Sequence, residues 1–164
     1  PFDMSPYTSS PLRMEATVEF QGMKPNEVFD ILGDPDAITQ WYPLAKSVKM
    51  YPAEDGNTEN DTFTVDFLFF GEVFEEILFW DYPYRYVYQA KGDGFPIKDY
   101  IACIEIRDLG EDKGLFTWKI YCNNIEGPQE QIVMPLILPP ITSKAMENLS
   151  PLINGVAWDV KSYF

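Results

Sequence analysis

The chain has 164 residues, which suits one domain with its own core and is short for two. Its 12 basic and 26 acidic residues give a net charge of -14, which disfavours binding to nucleic acid and to anionic membrane surfaces. Histidine is absent, which excludes Ser-His and Cys-His nucleophiles and the commonest transition-metal ligand. Any acid-base chemistry must therefore use carboxylate, Lys or Tyr side chains, and we expect neither a metal nor a cofactor.

The sequence contains no candidate membrane span or export signal. No run approaches the roughly twenty apolar residues of a spanning helix, and the start lacks a basic stretch followed by an apolar one. We therefore expect a soluble, cytoplasmic protein without integral membrane association.

The N-terminal part of the chain predicts an arm, a strand and two short helices. Residues 1–12 are rich in Pro and Ser and have no period, which indicates an arm that is either flexible or ordered by contact. Residues 13–20 read as a strand. Pro25 suits the first turn of a helix that Gly33 ends, and a second short helix ends near Trp41.

From residue 44 to residue 124 the apolar residues keep a period of two, which predicts strands. The turn signals AEDGNTEN, FG, DYPY, KGDGFP and GEDKG divide this stretch. Short connections between successive strands require antiparallel pairing, so the stretch is a meander. Its six strands are expected at 44–51, 61–69, 72–80, 85–91, 98–108 and 115–123.

After residue 126 the alternation stops, and spaced apolar residues indicate a C-terminal helix. Pro139 and Pro140 end or kink any helix that includes them. We therefore expect this helix to run from near Ile141 to about Asn154.

Together these elements predict a single α+β domain over residues 13–155. A curved antiparallel sheet of seven strands wraps around the C-terminal helix in this arrangement, with the two short helices after the first strand. Residues 156–164 are expected to form a C-terminal tail.

The last hairpin of the meander can be registered by matching the apolar faces of its strands. The matched pairs are Ile106 with Phe116, Ile104 with Trp118, Ala102 with Ile120, and Tyr100 with Cys122. Lys98 shares this face, so we expect it to point inward. Cys103 lies on the face opposite Cys122, which predicts two free thiols.

Two pairs of strand residues suggest polar groups inside an aromatic pocket, since 16% of the chain is aromatic. Tyr86 and Tyr88 are two residues apart and would present ring walls with hydroxyl tips to one face. Glu75 and Glu76 are adjacent, so one of the two points inward. If this strand pairs with the next one across the DYPY turn, Glu75 is the residue that points inward. If it pairs with the preceding strand across the FG turn, Glu76 points inward, and a β-bulge would reconcile the two pairings.

An inward carboxyl among aromatic rings would be desolvated, and its pKa would rise toward neutrality. Such a group is a candidate general acid or base. The alternative is a structural ion pair with Lys98 or Arg85.

The strings GDPDAITQWYP, FEEILFWDYPYRYVY and GLFTWKIY resemble the START-like superfamily of polyketide cyclase and lipid-transport proteins, which includes birch-pollen-allergen-like members. The resemblance spans roughly residues 13–154. It implies a helix-grip fold with a cavity between the sheet and the last helix. Members of this superfamily use the cavity to bind lipids, hormones or pigments, or to cyclise and dehydrate polyketide chains.

One hypothesis for the function is a polyketide cyclase or dehydratase. Its candidate catalytic residues are Glu75, Glu76, Lys98 and Tyr86. A glutamate would remove a carbon-bound proton, and Lys98 or a tyrosine hydroxyl would stabilise the enolate.

The competing hypothesis is a carrier or sensor for a lipid, a sterol or an aromatic metabolite. Phe95, on the loop KGDGFPIKD, could cover the mouth of the pocket. A protein-interaction module of the chaperone-regulator type is a third reading, and a homodimer is possible. The candidate ligand-binding residues are Trp41, Tyr42, Phe67, Tyr86, Tyr88, Phe95, Tyr100, Ile104, Trp118, Ile120, Met146 and Leu149.

Overall fold

The computed structural model describes residues 1–94, 97–124 and 130–164. Among these residues, no helix is long and apolar enough to cross a membrane. The helices are α1 (Pro25–Leu32), α2 (Ile38–Trp41) and α3 (Glu130–Leu149). The strands are β1 (Leu12–Gln21), β2 (Ala45–Tyr51), β3 (Thr62–Phe67), β4 (Gly71–Asp81), β5 (Arg85–Lys91), β6 (Ile97–Gly110), β7 (Lys113–Asn124) and β8 (Gly155–Ser162).

The strands form one curved antiparallel sheet in the order β2-β3-β4-β5-β6-β7-β1-β8, and α3 packs inside its curve. This confirms the α+β helix-grip fold. The sheet has eight strands instead of the expected seven, because the segment expected to be a tail forms β8. Asn154, at a φ of 54°, turns the chain out of a 3₁₀ turn at Ser150–Ile153, and β8 then pairs with β1. Without β8, the backbone groups along that side of β1 would be an unpaired sheet edge.

The two short helices follow β1 as expected, and local hydrogen bonds explain their positions. Pro25 occupies the first turn of α1, where a backbone N–H would have no hydrogen-bond partner within the helix, so its absence costs nothing. The N–H of Lys24 donates to the Glu27 carboxylate at 3.1 Å, and the N–H of Gly33 donates to the carbonyl of Phe29. A 3₁₀ turn at Pro35–Ala37 then leads into α2.

The C-terminal helix begins eleven residues earlier than Ile141, at Glu130, and includes Pro135, Pro139 and Pro140. The expectation that the helix begins only after Pro139 and Pro140, near Ile141, was therefore wrong. Met134 and Leu138 are buried in the core on the concave face of the sheet. Their burial favours a continuous helix over the break that proline promotes locally. The helix ends at Leu149, five residues before the expected end.

The register predicted for the β6–β7 hairpin is confirmed over the pairs Ile106–Phe116, Ile104–Trp118 and Ala102–Ile120. The fourth predicted pair, Tyr100 with Cys122, falls in the irregular stretch between Lys98 and Ile101, and both residues belong to the core on the concave face. Cys103 and Cys122 are free buried thiols, as predicted, and they belong to cores on opposite faces of the sheet.

The sheet separates two apolar cores. The larger core lies on the concave face, against the three helices. The smaller core lies on the outer face, where Val87, Ile101 and Cys103 are covered by Phe2 and Tyr7 of the N-terminal arm, together with other apolar residues. The N-terminal arm is therefore ordered by its contact with the sheet, which was one of the two expectations.

Candidate functional site

A cavity lies on the concave face of the sheet, between the strands and the helices. Alternate residues of β3, β4, β5 and β6 face it, because successive side chains of a strand point to opposite faces. The segment from Leu32 to Leu44 and two residues of α3 complete its wall. The lining residues are Leu32, Gly33, Pro35, Ile38, Trp41, Tyr42, Pro43, Leu44, Phe63, Phe67, Phe70, Val73, Glu75, Ile77, Tyr86, Tyr88, Ala90, Tyr100, Ile104, Leu138 and Ile141.

The enclosed part of the cavity is small, and the space around it opens to solvent. The part that admits the centre of a water molecule measures about 80 Å³, several times what one buried water needs. All the empty space between the walls, including the part open to solvent, is about 950 Å³. Ligand pockets commonly enclose roughly 300–1,000 Å³, so the enclosed part of this cavity is smaller than a typical ligand pocket and suits a compact guest.

Glu75 is the carboxylate that faces the cavity, and a β-bulge in β4 explains its position. Ile77 pairs with Tyr88 and Phe79 with Val87, so Leu78 is an extra residue in β4. Pairing with β3 through FG places Glu75 opposite Phe63, so the expectation that this pairing favours Glu76 was wrong. The bulge keeps Glu75 on the inner face in the pairing with β5 as well, while Leu78 packs on the outer face. Glu76, the other candidate, is half-buried and does not line the cavity.

The carboxyl group of Glu75 is in an apolar environment. The residue is only 7% exposed, and burial raises the pKa of its carboxyl from 4.5 to about 8. Burial disfavours the charged form because the protein interior solvates a carboxylate less well than water does. The pKa of this carboxyl therefore lies close to neutral pH, where the group can both release and accept a proton.

Four tyrosines lie near Glu75, and the hydroxyls of three of them bond to other partners. The Tyr86 hydroxyl donates to the carbonyl of Leu32 at 2.8 Å, and the hydroxyls of Tyr88 and Tyr100 are 3.4 Å apart. Burial, and secondarily the charge of Glu75, raises the pKa of Tyr42 and of Tyr86. All four phenols thus keep their protons at neutral pH and can act only as neutral hydrogen-bonding groups.

Trp41 belongs to the cavity wall and carries a buried hydrogen-bond donor. Its ring is 4% exposed and packs edge-on against Tyr42 and Trp118. The indole Nε1 of Trp41 is buried and has no hydrogen-bond partner among the described residues. A buried donor without a partner costs free energy, so an acceptor on a bound molecule would be favourable there.

The expectation that Lys98 points inward was wrong. β6 has an irregularity between Lys98 and Ile101, with Asp99 at a φ of 56°. The irregularity reverses the alternation, so that Ile97 and Tyr100 are buried while Lys98 is exposed. Lys98 is not among the residues that line the cavity, whereas Glu75 is.

The structure brings together about half of the candidate residues at the cavity wall. Those that line it are Glu75, Trp41, Tyr42, Phe67, Tyr86, Tyr88, Tyr100 and Ile104. Four others are buried in the surrounding core without lining the cavity, namely Trp118, Ile120, Met146 and Leu149. Phe95 lies outside the described residues.

Several lining residues were not predicted from the sequence. Phe63, Val73, Ile77 and Ala90 alternate with the candidates along their strands, and that alternation was the available signal. Leu138 lies before the prolines that were expected to exclude it from the last helix.

Comparison with known proteins places the fold in context. A family described as polyketide cyclase/dehydrase and lipid transport matches residues 11–152. No curated protein matches the chain at a significant level.

Solved structures share the fold at low sequence identity. A START superfamily protein from Mycobacterium smegmatis is 19% identical and covers 82% of this chain and 94% of its own, with a TM-score of 0.61. The Zhui aromatase/cyclase from a Streptomyces species is 8% identical, covers 87% and 96%, and has a TM-score of 0.64. Norcoclaurine synthase from Thalictrum is 18% identical, covers 89% and 96%, and has a TM-score of 0.62.

Proposed function

Since the chain belongs to the polyketide cyclase/dehydrase and lipid transport family, we propose that its cavity binds a small, mostly apolar organic molecule whose polar end lies at Glu75. The observation that carries this proposal is that, among the described residues, one buried carboxyl group lies in a wall made chiefly of aromatic and aliphatic side chains. The apolar wall favours binding by about 25 cal/mol for each Å² of apolar ligand surface removed from water. Glu75 and the indole of Trp41 orient the ligand by hydrogen bonds.

Binding is tested with freshly purified protein in two ways. Native mass spectrometry detects any small molecule that co-purifies with the chain. Titration with 2-naphthol, a small neutral aromatic fluorophore, measures whether the cavity accepts an added guest.

A variant that fills the cavity provides the control for the site of binding. Ala90 lines the cavity, so Ala90→Leu places extra methyl groups where the guest would lie. Ala157→Leu makes the same change on β8, where the residue is exposed. We expect Ala90→Leu to weaken naphthol binding and Ala157→Leu to leave it unchanged. Equal affinity in all three proteins would reject the cavity as the binding site.

A second candidate function is a cyclase or dehydratase, and the raised pKa of Glu75 favours it. A carboxyl group with a pKa of about 8 is suited to accept and return protons near neutral pH. In this reaction the carboxylate of Glu75 takes a proton from a carbon beside a carbonyl group, and the resulting acid returns it to a departing hydroxyl, which leaves as water. Tyr88 and Tyr100, whose hydroxyls lie 3.4 Å apart at the cavity wall, would hydrogen-bond the enolate oxygen.

Glu75→Gln distinguishes the two candidate functions. The change keeps the size of the side chain and removes its ability to transfer protons. With a poly-β-carbonyl substrate, we expect turnover to disappear while substrate affinity stays within about threefold, since proton transfer contributes mainly to the chemical step. Glu76→Gln is the matched control, because Glu76 does not line the cavity. Undiminished turnover in Glu75→Gln would reject this mechanism and leave binding as the function.

A further inference from the structure

The cavity contains a buried acidic group but no basic group from the protein. All 12 basic residues of the chain lie in the described part, and none of them lines the cavity. Lys91 follows Ala90, the β5 residue that pairs with Glu75, but it is exposed and does not line the cavity. Arg85, at the other end of β5, forms an ion pair with Glu105 at 3.1 Å and lies 4.3 Å from the ring centroid of Phe2, which packs on the outer core. Any positive charge that compensates Glu75 must therefore come from a bound molecule.

The tyrosines around Glu75 do not replace that charge. The hydroxyl hydrogen of Tyr86 is directed to the carbonyl of Leu32, and Tyr88 and Tyr100 share a hydrogen bond with each other. Burial is the cause of the raised pKa of Glu75, with no opposing hydrogen bond or positive charge among the described residues. A buried carboxylate without a partner is costly, so the protein alone does not stabilise the ionised form.

From the geometry we infer that the cavity is built for a guest that carries a protonated amine, whose ammonium group pairs with Glu75 and packs against the rings of Tyr42, Tyr86 and Tyr88. This inference rests on the proposed binding function and specifies its ligand class. Aromatic ring faces attract an organic cation, and the attraction is stronger where water is excluded. The net charge of -14 also raises the concentration of cations near the protein.

A neutral guest accounts less well for these features. A hydroxyl or carbonyl group can share a hydrogen bond with protonated Glu75, but it makes no use of the carboxylate charge. An ammonium group satisfies the ionised carboxylate by a charge-assisted hydrogen bond, which is roughly twice as strong as a neutral one.

The test compares two ligands that differ only in this group, phenethylamine and phenethyl alcohol. Isothermal titration at pH 7 measures the affinity of each for the wild-type protein, Glu75→Gln and Glu76→Gln. For the wild type and Glu76→Gln we expect the amine to bind at least about tenfold more tightly than the alcohol. In Glu75→Gln this preference should fall below about twofold, with the affinity for the alcohol retained.

Proton release gives a second readout that a general structural effect would not produce. Pairing with an ammonium group ionises Glu75, so amine binding should release up to one proton per guest at pH 7. Titrations in buffers of different ionisation enthalpy measure this number. The alcohol should release none, and Glu75→Gln should release none with either ligand.

Each outcome bears on one of the two proposals. If 2-naphthol binds and the amine shows no advantage over the alcohol in the wild type, the binding function stands and the amine inference is wrong. An amine preference that persists in Glu75→Gln also overturns it. If neither ligand nor 2-naphthol binds, both proposals fail.

Discussion

Replacing Glu75 by Gln should stabilise the folded protein, and the gain should grow as the pH rises from about 4.5 to about 8. In the folded protein the carboxyl keeps its proton up to about pH 8, whereas an ordinary glutamate, as in the unfolded chain, ionises near 4.5. Between these values the folded state binds more protons than the unfolded state, so the contribution of Glu75 to stability falls as the pH rises. Gln resembles the neutral acid in shape and does not titrate.

The size of the effect follows from the pKa. A rise from 4.5 to about 8 corresponds to about 5 kcal/mol, at about 1.4 kcal/mol for each tenfold change in proton affinity. The difference in unfolding free energy between Glu75→Gln and the wild type should be small at pH 4.5, increase through pH 6 and 7, and level off above pH 8. Because the two proteins share every other titrating group, the difference isolates Glu75.

Urea denaturation followed by tryptophan fluorescence measures this difference at each pH. Glu76→Gln is the matched control, because it removes the same charge from a half-buried neighbour that does not line the cavity. The pH-dependent gain in Glu75→Gln must exceed that in Glu76→Gln by several kcal/mol. A difference that stays constant from pH 5 to pH 9, or a loss of stability at pH 9, would refute the reasoning.

Three further predictions test the packing around the site. Tyr86→Phe should lower the free energy of unfolding by about 1–3 kcal/mol in urea denaturation, because it leaves the Leu32 carbonyl without its 2.8 Å hydrogen bond; an unchanged midpoint would contradict this. Gly114→Ala should lower the melting temperature, at a cost of about 1–3 kcal/mol, since the added Cβ would overlap the Phe20 ring, and a variant as stable as the wild type would show that the ring can move. Deleting the N-terminal arm should speed the reaction of Cys103 with a thiol reagent, measured by mass spectrometry, whereas an unchanged rate would mean that the arm does not shield it.

Much of the fold was predictable because it depends on local patterns. The alternation of apolar residues in the meander follows from the two-residue period of a strand, and all six predicted strands are present within a few residues of their expected bounds. Pro25 and Gly33 marked the first helix through backbone effects that act within one turn. The β6–β7 pairing followed from matching two apolar faces.

The C-terminal part of the fold depended on contacts between distant segments. Proline is a local signal to end a helix, but Met134 and Leu138 gain burial by continuing it. β8 is an edge strand with most of its residues exposed, so it lacks the apolar alternation that identifies strands. Its pairing with β1 could be seen only once the fold brought the two together.

At the site, residue types and alternation determined which side chains were candidates, and two irregularities decided which of them meet. The extra residue at Leu78 settled the choice between Glu75 and Glu76, and the shift after Lys98 turned that lysine to solvent. Each irregularity reverses the side-chain alternation, and apolar patterning could not locate it, because Leu78 and Phe79 are both apolar and pack on an outer face that the N-terminal arm covers. The sequence alone therefore determined an aromatic pocket with an acidic residue at its wall, and the tertiary structure alone decided that this acid has no basic partner from the protein.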